Sequence, residues 1–124
     1  MSASSAAAAY RAANIENAPP LKLVQMLYEG ALRFLAQAEA AHAAAEGARF
    51  QERCLRVVAI LTELRAALDP TQAPELAENL EALYLFAEAA VREAMQGESP
   101  ARLASAREVL ATLLDGWKRL EVGP

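Results

Sequence analysis

The sequence has little of what a catalyst, a secreted scaffold or a nucleic-acid binder relies on. One cysteine in 124 residues, Cys54, excludes an internal disulfide and suits a reducing compartment. The one histidine, His42, falls in no Ser/His/Asp signature. Five scattered glycines form no phosphate-cradling loop. Basic residues are outnumbered, 12 against 16 acidic, and the net charge of −4 lacks the stripe that phosphate neutralisation requires. No apolar run approaches the roughly 20 residues of a membrane span. The first nine residues lack both the positive start and the leucine-rich core of a signal peptide. Nucleic-acid binding and membrane insertion are therefore not expected, and the cytoplasm is the default location. No segment alternates with the period of a strand.

What is present is alanine, leucine and charge at helical spacing. A hydrophobic share of 55% with only 6% aromatics describes helices that pack closely, and the length suits one domain. Residues 1–17 are Ser/Ala-rich and aperiodic and read as a mobile leader. The bundle domain is expected over 18–121, with 122–124 as a tail. The first helix is predicted from Pro20 to about Ala45, with Gly47 as its stop. The second starts near Arg49, carries Phe50, Cys54, Val57, Leu61, Leu64 and Leu68 in steps of four and three, and ends at Asp69-Pro70. The third starts at Pro74, carries Leu76, Leu80, Leu83, Ala87, Ala90 and Ala94, and closes at Gly97. Ser99-Pro100 caps and opens the fourth, which carries Leu103, Ala106, Leu110, Leu113, Trp117 and Leu120. Short connections between such helices favour antiparallel neighbours. The expected fold is all-α, an antiparallel up-down bundle of about four helices behind a mobile N-terminal leader.

The first helix stands out because it bears two apolar stripes. Val24, Leu27, Tyr28, Ala31 and Leu35 form one; Leu23, Met26, Gly30 and Phe34 form another beside it. A bundle helix buries one stripe of about 100°, so this helix is either deeply buried or keeps a face for a partner. Leu55, Val58, Phe86, Val109 and Leu114 also lie off the main seams, together with Leu23, Met26 and Phe34. Exposed together they would form the kind of patch that marks a protein interface.

The candidate chemical sites have plain structural readings. Glu39-x-x-His42 has the spacing of di-iron bundle ligands, but that site needs a second such pair, and a surface Glu and His near a helix end explains this one. Cys54 could act as a nucleophile only with a nearby base, and its place in the seam of the second helix argues for plain packing. Neither points to an enzyme, and neither a metal nor another cofactor is expected. Tyr28, Tyr84 and Trp117 admit two readings: core aromatics, or rings lining a groove with their polar ends wet, as at many partner-binding hot spots.

The segment from Ala18 through Pro20, Leu23, Met26, Leu27, Tyr28, Glu29 and Gly30, preceded by Tyr10, resembles the opening of the flagellar secretion chaperone family FliS. Pro19 stands where that family has a Ser or Thr cap, and Asn17 is the candidate cap instead. The likeness continues through Ile60-Leu61-Thr62-Glu63-Leu64 with Leu68-Asp69, then through Ala77, Asn79, Leu80, Leu83 and Tyr84, and ends in Leu113 and Trp117. Leu85 and Phe86 replace an Asp and a Tyr of the family pattern, and its glycines before the third helix are missing.

The resemblance implies an export chaperone that holds the disordered C-terminal segment of flagellin in hydrophobic grooves, prevents premature polymerisation and delivers the client to a component of the export gate. It also implies a leader that folds over the groove until displaced, a role falling to Tyr10 and Ile15. The partner-binding set expected on this reading is Tyr10, Ile15, Leu23, Met26, Leu27, Tyr28, Leu80, Leu83, Tyr84, Leu114 and Trp117. The alternative is a generic helical dimerisation or adaptor module, whose spare surface serves a homodimer.

Overall fold

The computed structural model describes residues 20–71, 73–97 and 100–122. The leader 1–17, the cap residues Asn17 and Ser99, and most of the 122–124 tail lie outside them. Four long helices follow one another: α1 (Pro20–Ala43), α2 (Gly47–Ala66), α3 (Pro74–Gly97) and α4 (Leu103–Val122), with a 3-10 turn over Pro100–Arg102 leading into α4. There is no strand among the described residues.

Each helix packs on its neighbours in the chain, and α4 closes the ring against α1. Directions follow from cross-helix pairs. Tyr28 meets Trp117, Glu29 meets Lys118 and Glu39 meets Arg107, so α1 and α4 run in opposite senses. His42 lies edge-on to Phe50 across the α1–α2 turn, and Gly30 lies against Ile60 further down. Gln51 near the start of α2 donates a 2.9 Å bond to the carbonyl of Met95 near the end of α3. That carbonyl is among the last four of its helix, which have no partner within the helix itself. The result is the expected antiparallel up-down bundle.

The turns differ in detail from the sequence reading. Gly47 does not stop α1; it opens α2. The left-handed position belongs to Ala45, with φ 59°. Its N–H bonds the His42 carbonyl at 3.0 Å and the Glu46 N–H bonds the Ala41 carbonyl at 2.9 Å, the paired closure of a Schellman motif. The reversal is so tight that Glu46 both closes α1 and accepts the first α2 bond, from the Phe50 N–H. α2 ends at Ala66, earlier than Asp69-Pro70. Asp69 instead accepts bonds from the Thr71 N–H (3.0 Å) and hydroxyl (2.6 Å), a local turn. Pro74 opens α3 as expected, and Pro100 falls in the 3-10 turn, so α4 proper begins at Leu103.

The core pairs small with large. Along α1 and α3 the buried positions include Ala31, Ala38, Ala41, Ala87, Ala90 and Ala94, while α2 and α4 bring Phe50, Leu61, Leu64, Leu103, Leu110 and Trp117. Small residues opposite large ones let four helices interdigitate without voids. On α3 the buried stripe runs through Ala77, Leu80, Tyr84, Ala87 and Val91. Leu83, expected in the seam, is turned outward.

Candidate partner-binding site

The aromatic trio is core. Tyr28, Tyr84 and Trp117 are at most 1% exposed. The Tyr28 and Tyr84 rings pack edge to face at 6.2 Å between centroids, and Trp117 lies 6.4 Å from Tyr28. The two tyrosine hydroxyls bond each other at 2.5 Å. Of the two readings the sequence admits, the structure takes the core one and not the wet groove: each tyrosine hydroxyl is turned inward, where a buried polar group must be hydrogen-bonded. Leu80 and Leu114 are buried with them, as is Val58. A partner could meet these residues only by opening the bundle.

The second stripe of α1 is largely covered by the protein itself. Gly30 is buried against α2, and Phe34 is half-buried beneath the guanidinium groups of Arg33 and Arg53, 5.9 and 5.8 Å from its ring centre. Leu23 and Leu27 are half-buried; Met26 is 55% exposed. Tyr10 and Ile15 lie outside the described residues.

Open apolar surface is also found elsewhere. Between α3 and α4 runs a groove of about 390 Å³. Leu83 and Phe86, one helical turn apart, form its α3 wall, with Phe86 half exposed. Val109 and Leu113, spaced i and i+4, form the apolar part of the α4 wall, and Ser105, Glu108 and Thr112 line the same wall. Of these only Leu83 was expected as a site residue. Phe86 and Val109 were legible as spare apolar positions and Leu113 as a seam residue. Ser105, Glu108 and Thr112 gave no signal, because exposed polar residues on a helix are the ordinary case. Leu55 on α2 and Leu85 on α3 are also exposed, away from the groove lining.

The one charged residue lining this groove is Glu108, which has no cation within ion-pair distance among the described residues.

The groups capable of chemistry are occupied otherwise. Cys54 is buried, and that burial pushes its thiol up to about 11, far from the thiolate a nucleophile needs. Glu39 pairs with Arg107, and His42 lies on Phe50. No group of three or more His, Cys, Asp or Glu among the described residues is placed to hold a metal ion. No helix among them is long and apolar enough to cross a membrane. The arrangement can bury a partner's apolar side chains.

The family model for the flagellar protein FliS matches residues 2–123. The chain is 32% identical over 108 residues to the flagellar secretion chaperone FliSB of Pseudomonas aeruginosa, an alignment covering 85% of this chain and 83% of that one. It is 28% identical over 116 residues to the flagellar secretion chaperone FliS of Vibrio cholerae, covering 90% and 85% respectively.

Proposed function

The chain belongs to the FliS family, and on that premise we propose that it is an export chaperone for flagellin. It holds the disordered C-terminal segment of its client in the cytoplasm, keeps it from polymerising and hands it to the export gate. The single observation that carries this reading is the family match along nearly the whole chain. The groove between α3 and α4 is consistent with it, since a helix-in-groove mode needs an apolar channel flanked by polar residues. The mechanism is burial of apolar surface and requires no bond to be made or broken. Ordering the client costs conformational entropy that offsets part of the interaction, which keeps the complex releasable at the export apparatus.

The test is calorimetric titration of the full chain with a peptide spanning roughly the last 40 residues of its own organism's flagellin, a length at which coupled folding gives a clear heat-capacity signal. Saturable binding with negative ΔCp and a gain of helix by circular dichroism is expected. No heat and no gain of helix, from a well-folded chain, would overturn the assignment. A dimer unaffected by the peptide would instead favour the adaptor reading.

A further inference from the structure

The groove between α3 and α4 has two unlike walls, and the difference specifies what can lie in it. Leu83 and Phe86 on one side, with Val109 and Leu113 on the other, form two apolar ridges at i, i+3 and i, i+4 spacing, between which the apolar face of an amphipathic helix can lie. Along α4, Ser105, Glu108 and Thr112 rise beside them in steps of three and four, a polar line of about 10 Å at 1.5 Å per residue. This is about two turns of an occupying helix. Glu108 is the one charged residue lining the groove and has no cationic partner among the described residues.

We propose that Glu108 is a specificity-determining residue that selects a client helix carrying a lysine or arginine one turn from its apolar anchors. This rests on the flagellin reading and deepens it: the occupant is a basic, amphipathic stretch of the client's C-terminal segment. Anchored by Leu83, Phe86, Val109 and Leu113, such a helix would bring its cation to the Glu108 carboxylate with the Ser105 and Thr112 hydroxyls on either side. Its apolar body would exclude water from one flank of the pair, which strengthens the attraction. An acidic residue at the same position would meet Glu108 unpaired and be rejected, so the carboxylate discriminates by repulsion as well as attraction. A second copy of this chain is a poorer fit, since each copy itself carries a net charge of −4.

The experiment uses the full chain and two synthetic peptides: the flagellin C-terminal segment, and the same peptide with each Lys and Arg replaced by Gln. Glu108→Gln should weaken binding of the natural peptide about five- to tenfold and leave the charge-stripped peptide unaffected. The natural peptide should also lose part of its salt dependence against this variant. Phe86→Ala should weaken both peptides alike. Loss of all binding by the unaltered chain would remove the flagellin reading and this inference together. Binding by the unaltered chain that Glu108→Gln weakens equally for both peptides, or not at all, would overturn the inference and leave the flagellin reading standing. Phe86→Ala dissociating a dimer in sedimentation, without affecting peptide binding, would assign the groove to a second copy and also overturn it.

Discussion

The hydroxyls of Tyr28 and Tyr84 bond each other at 2.5 Å across the bundle, from helices that are not neighbours in its ring. The bond ties opposite corners of the fold, and Trp117 packs beside it from a third helix. Phe at either position removes the shared bond and should cost about 1–2 kcal/mol. The double Phe variant should cost clearly less than the sum of the two, because the second change finds the bond already gone. Urea denaturation of the four proteins measures this; strict additivity would mean the hydroxyls do not act as a pair.

Trp117 should report a dry site. Its emission should be blue-shifted relative to free tryptophan and little quenched by iodide, and client peptide should not alter either property unless the bundle opens. Trp117→Ala should cost about 3–5 kcal/mol, the range for deleting a large core aromatic. A solvent-like emission maximum would refute this placement.

Two opposite exchanges should both stabilise. Ala45 holds φ 59°, where a β-carbon is crowded, so Ala45→Gly should gain about 0.5–1 kcal/mol. At Gly30 a β-carbon would lie 3.5 Å from the nearest Ile60 atom, an ordinary contact, and Gly30→Ala within α1 should gain a similar amount. Thermal melts of each variant suffice, and a lowered Tm in either would contradict the backbone assignment there.

The Cys54 thiol should leave a mark on alkaline stability. Its proton is held to about 11 in the folded chain against an ordinary 9.0, because burial disfavours the thiolate. The folded state therefore binds more protons than the unfolded state between pH 9 and 11, and stability must fall across that window. Cys54→Ala should show a shallower decline there, tyrosine and lysine titration being common to both proteins. Equal slopes would show that the thiol is not desolvated. At neutral pH, iodoacetamide should modify the native chain far more slowly than the unfolded one.

The fold was legible in the sequence because prolines and seams both carry it. Pro20 and Pro74 stand where helices open, and Phe50, Cys54, Val57, Leu61 and Leu64 lie on one buried face as their spacing requires. The reversal after α1 was not legible. Glycine is the favoured left-handed residue, so Gly47 drew the stop, while the geometry of the closure put Ala45 there and left Gly47 to begin the next helix. The candidate site was half legible for a different reason. Periodicity tells which residues share a face but not which of two adjacent faces is inside. On α3, Leu83 and Tyr84 are neighbours in sequence and either could lead the seam. The bundle took the tyrosine, whose hydroxyl found a partner, and left the leucine outside.

The core cluster contains neither Leu83, Phe86 nor Val109. A change at any of these three alters the groove wall without removing a side chain of the buried core. Groove wall and folding core are thus built from largely different side chains, with Leu113 the apolar lining residue that also packs against the core.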